Sequence, residues 1–136
     1  MAKNPLHTTR AMTLISLAKE LERFCGALEQ SELQLSVISA EEMRSRTHAI
    51  IHEADTMALP KRLIPAARSV GDAAYLLERL LLQSLERPND STVTLDATAY
   101  QETYNYTQKA LEVLKSPARY YGADVDALEM SGGLYL

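Results

Sequence analysis

Leu76–Leu85 reads LLERLLLQSL, with leucine at positions 76, 77, 80, 81, 82 and 85. On a helix turning about 100° per residue these side chains spread over most of the circumference. A helix apolar on several sides needs neighbours on several sides, so the segment is either the central helix of a bundle or part of a subunit interface. Upstream, Leu63, Ala67, Val70, Ala74, Leu77, Leu81 and Leu85 continue one face. Pro65 suits the first turn, and Pro88-Asn89-Asp90 closes the helix.

Helical spacing extends to both sides. Ser39 and Glu42 form an S-x-x-E capping box for a helix that Pro60 stops. Met43, Thr47, Ile50, Ile51, Ala54, Met57 and Ala58 make its inner stripe. An earlier helix over residues 7–31 buries Leu14, Leu17, Ala18, Leu21, Phe24, Cys25 and Leu28 behind a charged outer side. Leu14, Leu21, Leu28 and Leu35 also lie seven apart in the manner of a leucine zipper, but Ser31 takes the alternate core position, which favours an intramolecular bundle helix. Between these helices, Glu32–Ile38 alternates like an extended piece, and the β-prone stretch Thr92–Leu95 is a candidate to pair with Leu33–Ile38, against which stands the marginal stability of two short strands alone.

Asp96 caps a fourth helix with Tyr100, Tyr104, Thr107, Leu111 and Leu114 inward, ending near Ser116-Pro117. Beyond Gly122, Asp124 can cap a short helix, Val125–Met130, stopped by Ser131-Gly132-Gly133. The expected architecture is an all-α compact bundle of four main helices, with a short C-terminal helix and a minor extended segment. Residues 1–123 form the bundle domain and residues 124–136 a C-terminal docking segment.

The 136 residues, 46% hydrophobic and 24% charged, suit one domain able to bury a core without disulfides. A lone cysteine, Cys25, fits a reducing compartment. The net charge of −4 argues against electrostatic capture of nucleic acid or anionic membrane by the whole surface. The two ends differ in sign: residues 1–19 carry Lys3, Arg10 and Lys19 without an acid, whereas residues 120–136 carry Asp124, Asp126 and Glu129 without a base. The stretch Ala11–Ala18 is too short and too polar for a signal peptide, and no run of eighteen apolar residues exists. A cytoplasmic protein without a membrane partner is expected.

The densest polar cluster is EEMRSRTHAIIHEAD, where Arg44, His48, His52 and Asp55 form one outward stripe. His48 and His52 are spaced to share a metal ion, yet HxxxH lacks the glutamate of HExxH, and the stripe reads as a solvated helix surface. Neither metal nor cofactor is expected. Arg46 and His52, with five residues between them, form an R-x4-6-H pattern on a bundle helix that resembles the HEPN-type ribonucleases. That resemblance implies RNA cleavage at a dimer cleft, with histidine moving a proton and arginine stabilising phosphate charge. Six positions turn a helix by about 240°, setting Arg46 near the apolar edge and His52 on the polar back, so the two would meet only across a dimer axis.

No glycine-rich phosphate loop and no GxSxG elbow occurs, and Cys25 sits among apolar residues as a packing cysteine. Six of seven tyrosines fall after residue 99; Tyr100 and Tyr104 read as core, Tyr106, Tyr120 and Tyr121 as contact residues. The favoured function is a non-catalytic interaction, adaptor or regulatory protein, a homo-oligomer and/or bound to another protein, with no enzymatic activity. Its partner-binding residues are expected to be Leu76, Leu80, Leu82, Tyr106, Tyr120, Tyr121, Leu134, Tyr135 and Leu136. Two alternatives stand beside it. A nucleic-acid-associated subunit, of the phage packaging or regulatory type, needs Lys3, Arg10, Arg44, Arg46, Lys61 and Arg62 to merge into one patch. A HEPN-like, metal-independent ribonuclease would use Arg46 and His52.

Overall fold

Asn4 opens the first helix: its side-chain oxygen accepts the Leu6 N–H at 2.9 Å, and Pro5 takes a position where no amide hydrogen is required. In the computed structural model, which describes residues 4–125, helix α1 runs Pro5–Gln30. It is followed by strand β1 (Gln34–Ser36), helix α2 (Val37–Thr56), a 3₁₀ turn (Lys61–Leu63), helix α3 (Ile64–Leu85), strand β2 (Thr92–Thr94) and helix α4 (Ala97–Tyr120). The architecture is the expected all-α bundle of four helices with one minor extended element. The short helix expected at Val125–Met130 lies outside the described residues, apart from Val125 itself, which is buried.

Three boundaries differ from the sequence reading. Helix α2 starts at Val37 because Ser36, rather than Ser39, is the cap: its hydroxyl oxygen accepts the Ser39 N–H at 3.0 Å. The extended piece is correspondingly shorter. Helix α4 runs through Pro117, which removes one amide hydrogen only in the last turn. Past the proline, the Gly122 N–H reaches the Arg119 carbonyl and the Ala123 N–H the Ala118 carbonyl, both at 3.0 Å, with Gly122 at φ 82°. This paired closure satisfies the final carbonyls. Leu63 falls in the 3₁₀ turn rather than in α3.

The candidate pairing of the two extended stretches is present as an antiparallel ribbon, Leu35 opposite Val93, extended by the Leu95 N–H to the Leu33 carbonyl at 2.8 Å. Val93 and Leu95 bury themselves under it.

Helix α3 packs against all three other helices and is the centre of the bundle. Val70, Ala74, Leu77, Leu80 and Leu81 are buried within the chain. Leu14, Leu21 and Leu28 are wholly buried in the same core, while Leu35 belongs to β1, so the heptad spacing of leucines serves an intramolecular core. Several inward positions are hydroxylic. Thr47, Ser84, Thr103 and Thr107 each donate to the carbonyl four residues earlier, which satisfies the hydroxyl without a partner helix. Among the described residues no buried side-chain polar atom lacks a hydrogen-bond partner.

Candidate functional site

Because the other three helices occupy the inner arc of α3, one stripe remains toward solvent. It comprises Ile64, Arg68, Asp72, Tyr75, Arg79, Leu82 and, at the C-cap, Glu86, all exposed and spaced by three or four residues. Three of them are large apolar side chains: Ile64 is 38% exposed, Tyr75 52% and Leu82 42%. Single exposed apolar side chains are common, as at Ile38, Met12 and Leu6, but these three share one helix face.

Grooves flank the stripe on both sides. Toward α2 a cleft of about 520 Å³ is lined by Ile51, Met57, Ala67 and Gly71, with Asp55 on its α2 wall. Toward α4 a smaller one of about 190 Å³ is lined by Leu76, Gln83, Ala99 and Thr103. A Cβ placed on Gly71 would meet nothing within 4 Å, so the larger cleft is open there.

Among the described residues Arg68, Asp72, Arg79 and Glu86 make no ion pair, and Arg79 lies 5.8 Å above the Tyr75 ring. The polar stripe of α2 contrasts with this. Arg46 forks onto Glu20 of α1 at 2.7 and 2.8 Å and reaches Glu53 at 3.2 Å. The Glu20 hydrogen bonds raise the affinity of Arg46 for its proton, in spite of some desolvation. His48 Nδ1 lies 2.9 Å from Glu78 Oε2, the same carboxylate oxygen that Arg44 approaches at 3.6 Å.

These contacts define what the sequence-derived constellations do. Both histidines are exposed, His48 alone reaching a carboxylate of α3, and no group of three or more His, Cys, Asp or Glu among the described residues is placed to hold a metal ion. Arg46 of the R-x4-6-H pattern is held by two carboxylates. Of the cations expected to merge into a basic patch, Arg44 and Arg46 face carboxylates, Arg62 lies 4.0 Å over the Tyr120 ring, and Lys3 is outside the described residues. Cys25 is buried, 3.9 Å from the Thr107 hydroxyl. Desolvation pushes its thiol up to about 11, so it stays protonated and unreactive near neutrality.

The expected contact residues separate into three groups. Leu82, Tyr106 and Tyr120 are exposed and Leu76 is half-buried at the α4-side groove. Leu80 and Tyr121 are not on the surface: Leu80 is 2% exposed because the inner arc of α3 swallows it. Tyr121, 9% exposed, pins the end of α4 to the start of α1, with His7 edge-on at 5.2 Å and the Thr8 hydroxyl donating to its carbonyl. Leu134, Tyr135 and Leu136 lie outside the described residues. Ile64, Arg68, Asp72, Tyr75, Arg79 and Glu86 were not foreseen as site residues. Their signal was a second, polar-looking periodicity on the same helix as the leucine run.

Comparison with protein-family models, with curated proteins and with solved structures finds no match for this chain. No helix among the described residues is long and apolar enough to cross a membrane.

Proposed function

We propose that this protein is a non-catalytic assembly module that works by contact between protein surfaces, with the outer face of α3 as its contact. The observation that carries this is the stripe itself: exposed Ile64, Tyr75 and Leu82 in line with charges of both signs that make no ion pair among the described residues. Apolar anchors ringed by charged residues are the usual make-up of a protein contact, the anchors supplying affinity and the charges selecting the register. Arg46 and His48 of α2, by contrast, are engaged with Glu20 of α1 and Glu78 of α3.

Chemical crosslinking inside cells that make the full chain tests the proposal without presupposing the partner. The wild-type chain should shift to a discrete heavier species. The double substitution Tyr75→Glu and Leu82→Glu, which touches no core residue, should abolish that shift while the helical circular dichroism and thermal midpoint stay the same. A wild-type chain that remains single under crosslinking overturns the proposal.

A further inference from the structure

We infer that the partner of the α3 face is a second copy of this chain, with the two α3 helices antiparallel about a two-fold axis near Tyr75. The inference rests on the function proposed above and adds the occupant and its orientation.

The order of charges along the stripe points to this arrangement. From the N-terminal end it reads Arg68, Asp72, Arg79, Glu86: positive, negative, positive, negative. Read backwards, the signs are inverted at every place. Two copies laid antiparallel therefore set Arg68 against Glu86 of the second copy and Asp72 against Arg79 of the second copy, both within one helical turn of a common register. The two-fold axis repeats each contact, giving four opposite-charge contacts. A parallel arrangement would set like against like at all four places. None of the four has an ion-pair partner among the described residues of its own chain, so none must be released first.

The apolar residues fit the same register. Tyr75 lies beside the axis and meets its own counterpart region, with Arg79 of the second copy within reach of its ring face. Leu82 of one copy falls level with residues 69–72 of the other, at the margin of the cleft of about 520 Å³ where Gly71 leaves space. The α3 stripe runs about 33 Å at 1.5 Å per residue, so every pairing falls along one continuous helix face.

Charge reversal in the purified full chain tests the orientation, read by sedimentation over a range of concentration. Wild type should dimerise. Arg68→Glu alone and Glu86→Arg alone each set like charges face to face twice and should weaken dimerisation about tenfold. An equimolar mixture of the two variants should form a mixed dimer at near wild-type affinity, because each contact between unlike variants is again complementary. Both positions are exposed, and retained circular dichroism verifies folding of each variant. Variants that dimerise as wild type does, or a mixture no better than its components, overturn the antiparallel pairing. A wild-type chain that stays monomeric when pure, yet gives the heavier crosslinked species in cells, overturns the second copy as partner and leaves the interaction function standing. If the crosslinked species is absent as well, that function has failed too.

Discussion

Cys25 shows how strongly one buried group can tie this fold to pH. Desolvation is the main cause of its raised pKa, the carboxylates of Glu29 and Glu22 add to it, and the Thr107 hydroxyl opposes it. The thiol moves from an ordinary 9.0 to about 11, so the unfolded chain releases this proton earlier than the folded one. The associated stability is complete below about pH 9 and is lost as the pH rises toward 11, in total about 3 kcal/mol. Burial also raises Tyr100, whose hydroxyl donates to the Cys25 carbonyl at 2.9 Å, so both groups act in the alkaline direction. Urea unfolding in this range should show a smaller alkaline loss for Cys25→Ala than for wild type; equal losses would assign the effect elsewhere. A thiol reagent should modify the native protein at neutral pH only as fast as it opens.

Arg46 is the other residue whose role is set by a single contact. Its fork onto Glu20 joins residues 26 positions apart and fastens α2 to α1, but the Arg46 side chain is 41% exposed, so water screens the pair. Arg46→Met should cost about 1 kcal/mol in urea unfolding, and Arg46→Lys should recover only part of it, since a lysine cannot make both hydrogen bonds of the fork.

Among the elements, α1 and α4 end in the same way with different residues. Each closes with one N–H reaching back five residues and one reaching back three, around a residue in the left-handed region. In α4 that residue is Gly122; in α1 it is Glu32 at φ 56°, followed by Leu33 at φ 63°. A side chain in that conformation costs about 1 kcal/mol, and the exposed Glu32 makes no side-chain ion pair among the described residues. Glu32→Gly should raise the unfolding free energy by about 1 kcal/mol, a rise in thermal midpoint that Glu32→Ala should not match. The same feature explains what was legible. Gly122 is of the residue type that ends a helix, although the sequence reading stops α4 earlier, at Ser116-Pro117; a glutamate in the left-handed region carries no such signal, so Glu32–Ile38 reads as a single extended piece when only Gln34–Ser36 is strand. Ser36 and Ser39 are equally good caps by type, and the choice fell to Ser36 because the Val37 N–H is already bonded to the Ser91 carbonyl across the ribbon.

For the molecule as a whole, the decisive division is between leucines that fill the centre and those that do not. Leu77, 1% exposed among three neighbouring helices, should cost about 3 kcal/mol on truncation to alanine, through lost burial and the cavity left behind. Leu82→Ala should change stability by less than about 0.5 kcal/mol while weakening assembly. Thermal unfolding paired with sedimentation separates the two effects, and a Leu82→Ala variant as unstable as Leu77→Ala would make Leu82 a core residue.

Helix periods, the Asp96 cap and the turn at Pro88-Asn89-Asp90 follow from interactions among residues a few positions apart, and so the four helices could be read along the chain, whereas the Asn4 cap that starts α1 ahead of residue 7 was not. Within LLERLLLQSL that logic stops. When every side of a helix is apolar, periodicity cannot choose an inner face, and the choice depends on where α1, α2 and α4 arrive. Their arrival buries Leu80 and leaves Leu82 out. It also spends Arg46 on Glu20 and Glu53, and it leaves Arg68, Asp72, Arg79 and Glu86 facing water in alternating sign. Local bonding is written in neighbouring residues; which surface remains for a partner is settled only by contacts between residues far apart in the chain.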